Sequence, residues 1–141
     1  MSTYTNSTDN KDGTMGFSGS QKKILIVDDD ADLTSMFEMV LEMNGFEVDA
    51  YNDPLLALRD FKANSFGMAL LDVRMPHMNG FQLYKKLEEI DKRLKVCFIT
   101  AFEDYNEEFK QSFPELDERK CFVRKPKAIE DLVKHVAAIL G

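Results

Sequence analysis

The sequence predicts an α/β domain, a (βα)5 doubly wound five-stranded parallel sheet with helices on both faces. Short apolar runs alternate with amphipathic stretches five times along the chain. The runs are almost wholly apolar, as strands buried on both faces must be. The stretches between them repeat at helical spacing, so parallel strands joined by right-handed helical crossovers are the economical arrangement.

Residues 1–21 are rich in Ser, Thr, Asn, Gly and Asp and show no periodicity. They read as a disordered tail, which leaves residues 22–141 for one folded domain. Ile24-Leu25-Ile26-Val27 is the first strand. The first helix follows, with Leu33, Met36, Phe37, Val40 and Leu41 at the spacing of a buried stripe. Met36, Met39 and Met43 read as mainly core, with Met39 the one most free to turn outward. Asn44-Gly45 supplies the left-handed stop. Residues 46–51 alternate like a strand and are more polar than the other runs, which suits the sheet edge.

Asp53-Pro54 is a helix cap followed by proline at the first helical position. The helix it opens should turn Leu55, Leu58 and Phe61 inward. Met68-Ala69-Leu70-Leu71 is the most central-looking strand. Asn79-Gly80 then precedes a helix with Phe81, Tyr84, Leu87 and Ile90 on one face. Val96-Cys97-Phe98-Ile99 and Cys121-Phe122-Val123 are the last two strands, and Ile129, Leu132, Val133, Val136 and Leu140 line the last helix. Between these strands Phe102, Tyr105, Phe109 and Phe113 stand among many acids, and Pro114 interrupts any helix. A short helix and a longer loop are expected there.

The 141 residues carry a net charge of −7, with 44% hydrophobic and 30% charged residues. Such a balance gives no attraction to nucleic acid or to an anionic membrane. No run approaches the length of a membrane-spanning helix and no secretory signal pattern opens the chain, so a cytoplasmic location is expected. Cys97 and Cys121 sit inside apolar strands and read as small buried hydrophobes. His77 and His135 read as ordinary loop and helix histidines.

The chemistry gathers where strands end. Asp28-Asp29 follows the first strand, Asp72 the third, Thr100 the fourth, and Lys125-Pro126 the fifth, and in an open α/β sheet ligands bind outside those ends. Taken singly, each has an ordinary explanation as a cap, a strand residue or a solvated charge. Their order along the chain makes them one constellation. Carboxylates about 4 Å apart repel by roughly 1 kcal/mol in water and about 4 kcal/mol at an effective dielectric of about 20, so a cation is needed to gather them. Magnesium takes oxygen ligands, uses one or two carboxylates and accepts phosphate oxygens. A carboxylate is also a nucleophile toward phosphorus, and Asp72 is best placed for that role. Lys125 and the Thr100 hydroxyl would then neutralise the remaining phosphoryl oxygens.

Residues 22–141 resemble the receiver domains of response regulators in two-component signalling. The likeness is carried by Ile24 to Asp30, by Leu70 to Gly80 with its Met-Pro-His-Met-Asn-Gly, by Phe98-Ile99-Thr100-Ala101 and by Val123-Arg124-Lys125-Pro126. The resemblance implies a stand-alone chemotaxis-regulator-like module with the flavodoxin-like strand order 2-1-3-4-5. It implies Asp72 as phosphoacceptor, Mg2+ on Asp28, Asp29, Asp72 and the Arg74 backbone carbonyl, and Thr100 and Lys125 on the phosphoryl oxygens. Thr100 and Phe122 would form the switch, drawn inward on phosphorylation. The partners implied are a sensor histidine kinase or phosphotransfer protein, docking beside the acidic site, and a protein target yet to be named. Neither a membrane nor direct contact with nucleic acid is expected, and no effector domain is expected beyond Leu140.

Several residues depart from the family pattern. Phe122 stands where tyrosine is usual, Lys127 replaces an apolar residue, and the stretch from Thr100 to Lys125 is longer than usual. Phe102 would hinder an attacking water and prolong the phosphoryl state, and the Lys125-Pro126 bond is expected to be cis. Two other function classes compete. A phosphohydrolase resembling haloacid dehalogenases would need a second Asp two residues after its nucleophile, where this chain has Arg74. A binding module that only keeps the fold would not need the intact acidic set.

Overall fold

The computed structural model describes residues 23–100, 111, 122–124 and 128–140. The expectations for the tail, Phe102, the segment with Pro114, Cys121, Lys125, Pro126 and Lys127 lie outside those residues. Five parallel strands form the sheet: β1 (Lys23–Val27), β2 (Glu47–Tyr51), β3 (Met68–Asp72), β4 (Lys95–Thr100) and β5 (Phe122–Arg124). Their order across the sheet is β2-β1-β3-β4-β5. The polar strand β2 is at an edge and β3 is central, as the hydropathy pattern requires. Interleaved with the strands are α1 (Ala31–Met43), α2 (Pro54–Asp60) and α3 (Gly80–Ile90), and a C-terminal helix spans Ala128–Leu140.

Strand side chains alternate between faces, so an apolar strand feeds two cores at once. Leu25, Val27, Ala69, Leu71, Val96 and Phe98 meet Ala57, Phe81, Leu83 and Leu87 from α2 and α3 on one face. Ile24, Ile26, Met68, Leu70, Cys97, Ile99 and Val123 meet Phe37 and Leu41 of α1 and Leu132 and Val136 of the C-terminal helix on the other. The rings of Phe81 and Tyr84 stand edge-on to Phe98, with centroids 4.8 and 5.9 Å away, and anchor α3 to β4. At the end of the sheet away from the acids, the Asp91 carboxylate accepts from the Asn64 and Arg93 backbone N–H groups, at 2.9 and 3.0 Å, and joins two loops.

Helix boundaries follow the caps. Asp30 accepts from the Leu33 N–H at the start of α1, and Gly45 takes the left-handed φ of +91° beyond its end. Asp53 caps α2 ahead of Pro54. Asn79 and Gln82 form a reciprocal capping box at α3.

Inward assignments on three helices are corrected. Leu55 is exposed, and α2 buries Pro54 and Ala57 with Leu58 half-buried, because a helix this short turns only its N1/N4 face to the sheet. Ile90, the last residue of α3, is exposed, and Leu83 is buried in addition to the predicted residues. Met36 and Met43 are 41 and 79% exposed, since Phe37 and Leu41 already fill the contact of α1 with the sheet, and Met39, expected to be freest to turn outward, is 57% exposed.

Candidate functional site

The chain leaves β1 toward β2 and leaves β3 toward β4 on opposite sides, so a crevice opens between the C-terminal ends of β1 and β3. Val27 is in register with Leu71, which sets Asp28 beside Asp72. Both are nearly buried, at 2 and 6% exposure, and Asp29 is exposed. One carboxylate oxygen from each of the three lies within 4.8 Å of the others. Among the described residues this is the one group of three or more His, Cys, Asp or Glu side chains close enough to hold a metal ion.

Local hydrogen bonds hold the acids against their mutual repulsion. The Asp30 N–H donates to Asp28 Oδ1 at 2.9 Å, turning that carboxylate back over its own loop. Asp30, the third acid of the run, is spent on capping α1 and points its side chain into the helix start. The Asp28 N–H donates to the Tyr51 carbonyl at 3.1 Å, and the Asn52 side-chain amide donates to the Asp28 carbonyl at 2.8 Å.

On the other side of the crevice, Asp72 is in register with Ile99 and the Val73 N–H donates to the Ile99 carbonyl at 3.2 Å. The β3–β4 ladder therefore continues past the acid, and Thr100, the last residue of β4, follows directly. Thr100 is in register with Arg124, which puts the strand end preceding Lys125 next in line. Phe122 is in register with Phe98 and packs, half-buried, against the α2–α3 core. Arg74 has an exposed side chain two residues after Asp72.

The loop from Asp72 to α3 is short and strained. His77 has a φ of +73°, and the Met78 N–H donates across it to the Pro76 carbonyl at 2.8 Å, a γ-turn with a left-handed centre. The Gly80 N–H donates to the Val73 carbonyl at 3.0 Å. A Cβ on Gly80 would sit 2.4 Å from the Asp72 carbonyl oxygen, so only glycine lets the start of α3 approach the acid's backbone. The sequence placed Asn79-Gly80 just ahead of a helix and gave no sign of this contact. Asn52 was also missed: one polar residue at the end of β2 carries no signal of its partner at the end of β1.

Residues 24–137 match the response regulator receiver domain family. The chain belongs to that family. Among similar receiver proteins, CpdR of Brucella abortus is 35% identical over 81 residues, which is 57% of this chain and 68% of that protein. The transcriptional regulatory protein PrrA of Mycobacterium tuberculosis is 30% identical over 118 residues, 84% of this chain and 49% of the relative. A structure of the Thermotoga maritima response regulator TrrA in complex with Mg2+ and BeF is 25% identical with a TM-score of 0.71, covering 84% of this chain and 98% of the other. TrrA has also been solved in complex with the histidine kinase ThkA. The chain spans 34, 68 and 18% of the lengths of three of its curated relatives. No helix among the described residues of this receiver domain is long and apolar enough to cross a membrane.

Proposed function

We propose that residues 22–141 form a phosphoacceptor signalling domain in which Asp72 receives a phosphoryl group from a phosphohistidine of a sensor kinase or phosphotransfer protein. The observation that carries this reading is the convergence of three carboxylate oxygens within 4.8 Å at the strand ends of a receiver fold. An all-oxygen donor set, two members nearly buried and one open to solvent, fits magnesium and offers nothing to a softer metal. Asp28, Asp29, Asp72 and the Arg74 carbonyl would hold the ion, and the Mg2+-bound form of TrrA supports that assignment by likeness. When bound, the ion supplies positive charge to one phosphoryl oxygen.

The protein's own groups do the rest. An Asp72 carboxylate oxygen attacks phosphorus as the P–N bond to the donor imidazole breaks, leaving an acyl phosphate on Asp72 and returning the electron pair to the ring. The Thr100 hydroxyl and Lys125 ammonium each take a further oxygen. Thr100 and Phe122 then change together and alter the surface offered to a protein target. The exposed Met36 and Met39 on the N-terminal and middle turns of α1 suit a kinase docking face on the side of the acids. The module works in the cytoplasm and reaches its target by protein contact, without binding nucleic acid itself. Catalysis is limited to its own phosphorylation and slow loss of the phosphoryl group.

Incubation with a small phosphodonor and Mg2+, followed by intact mass measurement, tests this. One retained phosphoryl group is expected, absent from Asp72→Asn and from samples with excess chelator. Turnover of many phosphomonoesters without a retained group would instead identify a phosphohydrolase.

A further inference from the structure

Asp28 is gripped on both sides of its α-carbon by two consecutive residues, the last of β2 and the one after it. Its N–H donates to the Tyr51 carbonyl at 3.1 Å, and its carbonyl accepts from Asn52 Nδ2 at 2.8 Å. The same amide nitrogen donates its second hydrogen to Thr34 Oγ1 at 3.0 Å. Thr34 is buried in the first turn of α1, and its hydroxyl hydrogen goes to the Ala31 carbonyl at 2.9 Å. The two donors of one amide thus meet two acceptors, one on each side of the loop that carries Asp28 and Asp29.

We infer that Asn52, seated on Thr34, is a positioning residue for the metal site: it fixes the peptide between Asp28 and Asp29 so that both carboxylates face Asp72 before a cation arrives. The inference rests on the proposed magnesium site. Carboxylates brought this close repel one another, and a loop whose backbone is held at the Asp28 carbonyl keeps two of them in place against that repulsion. Asn52 touches neither the ion nor the phosphoryl group. It acts through the Asp28 carbonyl, as groups behind a ligand commonly do.

The test is a calorimetric Mg2+ titration of wild type, Asn52→Ala, Thr34→Val and Lys95→Met, with melting temperatures taken in chelator. Lys95 lies far from the acids and donates to the Ile139 carbonyl at 2.8 Å, so it controls for a general loss of stability. Asn52→Ala is expected to weaken Mg2+ binding about tenfold, Thr34→Val to weaken it less in the same direction, and Lys95→Met to leave it unchanged while lowering the melting temperature. Unchanged Mg2+ affinity in Asn52→Ala overturns the inference and leaves the proposed function standing. Equal weakening in Lys95→Met overturns it too, because the effect would then follow stability alone. Should Asn52→Ala fail to fold, unchanged affinity in Thr34→Val has the same force. Wild-type protein that binds no Mg2+ overturns both this inference and the reading beneath it.

Discussion

At Gly80 one missing atom decides the shape of the loop that follows Asp72. The hydrogen bond from its N–H to the Val73 carbonyl draws the start of α3 against the Asp72 backbone, where a methyl group would fall 2.4 Å from the carbonyl oxygen. Neighbouring backbone cannot yield as a flexible side chain would. Gly80→Ala is expected to cost about 1–3 kcal/mol in urea unfolding, the usual range for overpacking. It should also lower the yield of phosphorylated Asp72, because the strain is relieved by moving the acid. The Asn79-Gly80 pair was legible in the sequence as a helix start, and the capping box bears that out. The close approach was not, since it depends on where the end of β3 lies relative to α3. In the same way, Asp28, Asp29 and Asp30 look alike in the sequence. Only the fold separates two crevice acids from one cap.

Among the elements, β2 and α2 are held by a polar cluster of their own. The Tyr51 hydroxyl donates to Asp60 Oδ2 at 3.1 Å, and Arg59 Nε donates to Asp60 Oδ1 at 2.8 Å. Burial, together with the Asp60 hydrogen bond and charge, holds the Tyr51 hydroxyl above its ordinary value of 10.0. The Arg59 and then the Tyr51 hydrogen bonds hold the Asp60 carboxyl below its ordinary 3.8. For tyrosine a raised value means that the neutral form is favoured by folding. Its contribution is complete below pH 10.0 and is lost as pH rises through the higher folded value. The Asp60 contribution has the opposite sense, present above pH 3.8 and lost as pH falls through the lower folded value. Tyr51→Phe should therefore flatten the alkaline limb of the stability–pH curve while leaving an acid limb, as followed by urea unfolding across pH. The amphipathic stripe of α1 was legible in its Phe37 and Leu41 positions and misled at its methionines. Periodicity reports which residues share a face, not how wide a face the sheet can cover.

On the scale of the whole molecule, gathering acids at one crevice sets stability against function. Asp29→Asn removes one of three mutually repelling charges, so the metal-free variant should melt higher than wild type by a few degrees, for a gain of about 1 kcal/mol. In return it should lose most of the stabilisation that millimolar Mg2+ is expected to give wild type, because that gain grows with ligand concentration relative to Kd. Thermal melts with and without Mg2+ check both halves. A variant that lost stability in chelator would show that Asp29 is held by favourable contacts instead.

Strand and helix periodicity, caps at Asp53 and Asn79, and polar residues at the ends of apolar runs were enough to establish the parallel sheet, its polar edge and the candidate acids. These are local properties, written in spacing and residue type. The convergence of three carboxylate oxygens, the hold of Asn52 on the Asp28 carbonyl and the contact that demands Gly80 depend on distances between segments far apart in the chain. Those distances arise only when the two cores pack and the strands take their register, so no local pattern encodes them.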